Sequence, residues 1–264
     1  GSKTSEPAGS DAGSAKASSK KETVELQVFA ANSLEKALPE VQELYTDQTG
    51  TTFADTQFKA SGDLVEQMRA GATVDVLITA SKGTMEDAET AELVDADTRE
   101  DIFVNDLVII RAEGSDTKVE AIADVANLDG KIAIGDAKTV PAGKYANQAL
   151  ASVGFYTGTE GDDGEYAPEI ADKVALADKV GTAAAYVSTG DCVAGFVYSS
   201  DIFRYDGIEE AFVCPEDSHK PIVYPGAVAE SSEHADEAKA FIDFCLSNKK
   251  AQKIWAKYGF ELSA

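Results

Sequence analysis

Between Val24 and Phe260 the chain keeps changing its hydrophobic period. Short apolar runs, such as "VDVLITA" (74–80), alternate with longer stretches whose apolar residues recur every three or four positions. The first kind reads as strand and the second as amphipathic helix. Regular alternation of the two leaves few options, because strands joined through helices must lie parallel in sheets covered on both faces. The fold class expected is therefore α/β with mostly parallel sheets.

The segments can be placed individually. "VELQVFAA" (24–31), "TTFADTQFKA" (51–60), "DLVIIRA" (106–112), "KIAIGDA" (131–137), "VAGFVYSSDI" (193–202) and "EAFVCPE" (210–216) read as strand regions. "PIVYPGAVAES" (221–231) reads as a strand interrupted by Pro225, which predicts an edge or a crossing point. In "SLEKALPEVQELYTDQTG" (33–50), Leu34, Leu38, Val41, Leu44 and Tyr45 share one helical face and Gly50 ends it. Pro39 should kink that helix or split off its first turn. Helices are also expected over "SGDLVEQMRAG", "SKGTMEDAETAEL", "VPAGKYANQALASVG" and "DKVGTAAAYVSTGD", with two more in the last 31 residues. No internal repeat is visible.

Composition excludes several classes. The net charge of −24 repels phosphate backbones, so nucleic acid is not an expected partner. No apolar stretch approaches the roughly 18 residues needed to span a bilayer, which predicts a soluble chain. Cys192, Cys214 and Cys245 form no CxxC, and His219 and His234 have no ligand-forming neighbour at metal-binding spacing. A zinc site is not expected, while one disulfide or three buried thiols both remain open. "EGDDGEYAPE" (160–169) does not match a calcium loop and reads as a solvated acidic loop. Residues 1–23 carry no large apolar side chain and read as a disordered tether, its leading Gly-Ser a cloning remnant and its secretion signal already removed.

Four positions lie where a loop turns into a helix: Ser33, Ser61, Ala142 and Val180. Helix starts expose N–H groups without internal partners and the positive end of the helix dipole, and so bind anions. For Ser33 and Ser61 there is a plainer explanation, N-capping, worth about 1 kcal/mol each. A serine nucleophile is disfavoured, since no GxSxG elbow occurs and neither histidine stands in a triad context.

These stretches resemble the molybdate-binding proteins of ABC uptake systems. The likeness is carried by "FAANSLEKAL", by "FKASGDLVEQMRAGATVDVLITAS", by "VPAGKYANQAL", by "ADKVGTAAAYVSTGDCVAGFVYSSD" and by the C-terminal "AKAFIDFCLSNKKAQKIWAKYGF". It implies a two-lobed type II periplasmic-binding fold, with two sheets joined by two hinge crossings near Val108–Arg111 and Val223–Ala227. Residues 24–109 plus 222–264 would form lobe 1, and 110–221 lobe 2. It further implies an oxyanion, molybdate or tungstate, held by the hydroxyls of Ser33, Ser61 and Tyr198 and by the amides of Ser33, Ser61, Ala142 and Val180. The metal would be touched only through its oxygens, with no direct ligand and no cofactor. Asp63 departs from the family's pattern beside Ser61 and is expected to face solvent or cap its own helix. The partner would be a membrane permease, and the protein an extracytoplasmic monomer, anchored by lipid upstream of residue 1. Sulfate, phosphate or a carboxylate are the alternative guests.

Overall fold

The computed structural model describes residues 23–263. Residues 1–22 of the expected tether lie outside them. Thirteen strands and eight α-helices follow in the order β1 (Glu25–Leu26), β2 (Val28–Ala31), α1 (Ala37–Thr49), β3 (Thr52–Phe53), β4 (Gln57–Lys59), α2 (Ser61–Arg69), β5 (Val76–Ile78) and α3 (Lys82–Thr90). Next come β6 (Glu100–Asn105), β7 (Leu107–Ala112), β8 (Ile132–Gly135), α4 (Pro141–Ser152), α5 (Pro168–Ala171), β9 (Val174–Ala177), α6 (Val180–Ser188), β10 (Ala194–Tyr198) and β11 (Ile208–Val213). The chain closes with β12 (Ile222–Val228), α7 (Ala235–Ser247), α8 (Lys249–Lys257) and β13 (Phe260–Leu262).

The strands form two main sheets, one in the order β13-β6-β12-β5-β2-β4 and the other in the order β11-β7-β10-β8-β9. Each is parallel at one end, over β5-β2-β4 and β10-β8-β9. The strands that carry the chain between sheets, β12 and β7, join antiparallel. The sheets are thus mixed, but only four of their nine strand pairings are parallel, because a strand arriving from the other lobe runs the opposite way. The two lobes share one strand pattern, a repeat the sequence does not display.

The chain leaves the six-stranded sheet at Asp106, whose N–H donates to the Asn105 side chain at 3.0 Å. Leu107, Val108 and Ile109 therefore belong to the second sheet rather than to lobe 1. The return passes through 214–221, and β12 lies wholly inside the six-stranded sheet, so Val223–Ala227 is not the crossing itself. Nor is Pro225 at an edge. It sits where the β12–β6 register shifts, and that irregularity removes the need for its missing N–H. Pro39 lies in the first turn of α1, where N–H groups have no helical partner anyway, and a separate 3₁₀ turn over Asn32–Leu34 precedes it.

Phe103, Tyr224, Trp255 and Phe260 pack as an aromatic cluster under the six-stranded sheet, with Phe103 4.7–4.9 Å from each of the other three ring centroids. All four are fully buried, each worth roughly 2–3 kcal/mol by area. The cluster clamps Tyr224 by its ring and leaves only its hydroxyl to choose a partner. Cys192, Cys214 and Cys245 are three buried free thiols. Among the described residues no helix is long and apolar enough to cross a membrane.

Candidate functional site

Ser33 follows β2, in the 3₁₀ turn. It is not the N-cap of that turn: Ala31 is, and it makes no side-chain cap bond. The Ser33 hydroxyl instead meets the Tyr224 hydroxyl at 2.7 Å. Tyr224 in turn receives a bond from Asn105 Nδ2 at 3.2 Å. An amide N–H is donor only, so the Tyr224 oxygen is the acceptor there and its own proton is free to go to Ser33 Oγ. With Tyr224 as the donor, the Ser33 proton is left for another acceptor. Burial, ahead of any other cause, pushes the Tyr224 phenol up to about 12 and keeps it a neutral donor.

Ser61 opens α2 as its first residue, and Ala60 is the uncapped N-cap. The capping explanation therefore fails for both serines. Ser61 Oγ accepts the Ala80 N–H at 2.9 Å, which ties it to the end of β5 and again leaves its proton to donate elsewhere. Asp63, in the first turn of α2, is exposed. Lys144, one turn into α4, pairs with Asp162 at 3.6 Å.

Across the cleft, α4 starts with Pro141, which has no N–H, so Ala142 supplies the first free amide. That residue is 1% exposed. Helix α6 starts at Val180 behind an uncapped Lys179. Among the described residues, the amides of Ser33, Ser61, Ala142 and Val180 find no acceptor in the chain. Tyr198 ends β10. It is 7% exposed, its hydroxyl has no hydrogen-bond partner among the described residues, and burial holds its ionisation well above the ordinary phenol range. Ser33, Ala142 and Tyr198 are buried, and buried donors without partners are rare in native proteins.

The contacts tie some of these groups to near neighbours of the others. The Tyr198 ring lies 6.3 Å from that of Tyr145, one turn after Ala142. Gly181, beside Val180, packs on the Tyr205 ring. A cavity of about 550 Å³ separates Ser81–Gly83 of one lobe from Thr139–Pro141 of the other. None of the five expected residues lines it. It flanks them, next in sequence to Ala80 on one side and to Ala142 on the other.

The sequence reading missed Tyr224, Asn105 and an ion pair at the same cleft. Arg204 donates from Nη1 to Asp201 at 3.0 Å and from Nε to Glu35 at 3.1 Å. Asp201 is wholly buried and also accepts the Tyr198 N–H at 2.9 Å. Burial raises its carboxyl to about 6 against the pull of Arg204 and of that amide. The Arg204 guanidinium is thus committed to two carboxylates.

A profile of bacterial extracellular solute-binding proteins matches residues 26–261. The chain belongs to that family. Among its relatives is the molybdate-binding protein ModA of Escherichia coli K12, 33% identical over 90% of this chain and 89% of the relative. A putative ABC transporter substrate-binding lipoprotein of Bacillus subtilis, YvgL, is 29% identical over 90% and 86%. In three dimensions the solute-binding chain matches the substrate binding domain of a putative molybdenum ABC transporter from Clostridium difficile. There the TM-score is 0.79 at 33% identity, over 92% of this chain and 100% of the other. The two-lobed α/β architecture is therefore that of the extracytoplasmic binding components of ABC transporters.

Proposed function

We propose that this protein captures molybdate, and equally tungstate, between its lobes and presents it to the membrane permease of an ABC transporter. The observation that carries this reading is the set of donors with no acceptor of their own: four helix-start amides, two serine protons and the buried Tyr198 phenol. Such a set suits a fully deprotonated tetrahedral dianion. Each charge-assisted bond contributes roughly 1.5–3 kcal/mol, enough together to offset the removal of a dianion from water. Ser33 and Ser61 come from one lobe and Ala142, Val180 and Tyr198 from the other, so the guest favours the closed arrangement. The metal is met only through its oxygens. No cofactor is required, because molybdate is cargo.

A monoprotonated phosphate brings a hydrogen that needs an acceptor, and these groups offer it no carboxylate or carbonyl, only hydroxyl oxygens. Catalysis is not part of the reading. The Ser33 hydroxyl is engaged by Tyr224, that of Ser61 by an amide, and His219 Nδ1 meets its neighbour's carbonyl at 2.7 Å, so neither serine has a base. The protein would work as a monomer outside the cytoplasmic membrane, held there by a lipid upstream of residue 1. Parallel calorimetric titrations with molybdate, tungstate, sulfate and phosphate test the assignment. Micromolar or tighter binding is expected for the first two alone. Equal or tighter binding of sulfate or phosphate, or binding of none, refutes it.

A further inference from the structure

Among the described residues, one ion pair joins the two lobes, and it lies at the oxyanion cleft. Glu35 comes two residues after Ser33, at the end of the 3₁₀ turn of lobe 1. Arg204 ends the turn that follows Tyr198 in lobe 2. The guanidinium is held firmly from its own side. Asp201 grips Nη1, and the Tyr205 ring lies under it with its centroid 5.0 Å from Cζ. Its side chain is 11% exposed, whereas Glu35 is 43% exposed. A well-held cation is thus offered across the cleft to a half-exposed carboxylate.

Both anchors touch residues of the donor set or their neighbours. The carboxylate that fixes Arg204 also accepts the Tyr198 N–H. Tyr205, beneath the guanidinium, packs against Gly181, the neighbour of Val180. A methyl group at Gly181 would come within 2.9 Å of the Tyr205 hydroxyl. Making the Glu35–Arg204 bond therefore draws Ser33 toward Tyr198 and Val180 together. Breaking it frees the lobes without removing any donor from the guest.

We propose that Glu35 and Arg204 are positioning residues, a latch across the cleft whose strength sets how long the closed form retains its oxyanion. The proposal rests on the oxyanion reading of the site. It adds that residence time is governed by a pair that never touches the guest. A cross-lobe pair of this exposure slows dissociation without changing the initial encounter, which depends on the open form.

The test is Glu35→Gln, which leaves the Arg204–Asp201 pair in place. Labelled molybdate is loaded and displaced with excess unlabelled molybdate, and association is followed separately. Dissociation should accelerate about five-fold while the association rate stays within two-fold. Added salt should speed dissociation from the wild type but not from Glu35→Gln, a response that a merely structural residue would not give. The Glu35→Gln/Arg204→Gln double variant should release molybdate no faster than Arg204→Gln alone, because the pair is one interaction. An unchanged dissociation rate in Glu35→Gln overturns the latch. So does a collapse of affinity in Arg204→Gln with Glu35→Gln unaffected, since Arg204 would then be gripping the anion. Failure of the wild type to bind molybdate would sink the oxyanion reading instead, and the two failures are distinct.

Discussion

Removing one oxygen atom separates a ligand-binding phenol from a structural one. In Tyr198→Phe the ring keeps its place beside Tyr145, and only the hydroxyl is lost. That hydroxyl is buried and has no partner among the described residues, so the ligand-free protein loses no hydrogen bond. It should gain up to about 1 kcal/mol, the desolvation cost of an unpaired hydroxyl, and melt roughly 2–4 °C higher. Binding should move the other way. Loss of a charge-assisted bond of about 1.5–3 kcal/mol weakens affinity about 10- to 150-fold. Thermal unfolding reads both effects in one series. At molybdate 100 times the wild-type Kd, the wild type gains about 2.7 kcal/mol, whereas the variant gains only about 0.3–1.4 kcal/mol. Calorimetry supplies the affinities independently. A variant that binds as tightly as wild type, or that is less stable when empty, refutes the reasoning, because the hydroxyl would then be idle or already satisfied.

Two further outcomes follow from the same geometry. Gly143 meets Gly135 so closely that an added Cβ would lie 1.8 Å from the Gly135 oxygen, so Gly143→Ala should cost about 3 kcal/mol or more and displace the Ala142 amide. Denaturant titration within 1 kcal/mol of wild type, with full affinity, would contradict it. For Asp201, the folded protein holds its carboxyl proton more tightly than the unfolded chain does, about 6 against 3.8. Its contribution is fully present below 3.8 and lost as pH rises through about 6, so Asp201→Asn should gain on wild type by on the order of 3 kcal/mol between about pH 4 and pH 7. Parallel stability curves across that range would refute it.

What the sequence made legible was mostly local. Helix periodicity and end signals located α1, α2 and α4 within a few residues, and the helix starts singled out Ser33 and Ser61. Local reasoning passed over β6, β9 and β13. Strand β9 is short and carries an outward Leu176, 51% exposed, so it lacks the apolar run that marks a buried strand. The hinge at Asp106 was displaced because "DIFVNDLVII" is nearly continuous strand, with no Gly or Pro to mark the change of sheet. The groups that order the site were hidden for a different reason. Tyr224 meets Ser33 across 191 positions and Arg204 meets Glu35 across 169, and no short-range pattern encodes such meetings. The capping explanation of the serines was a fair local inference, overturned only by where their hydroxyls go.

Asn105 stands at the joint. Its oxygen accepts the Ser199 hydroxyl of the other lobe at 2.8 Å, and its amide donates to Ser200 at 2.9 Å as well as to Tyr224. The side chain that stitches the lobes at their pivot is therefore also bonded to the Tyr224 hydroxyl that meets Ser33. A swing of the lobes disturbs both duties together. On the proposed oxyanion reading, unloading needs no trigger of its own: whatever pries the halves apart also disorients a proton that would hold the cargo.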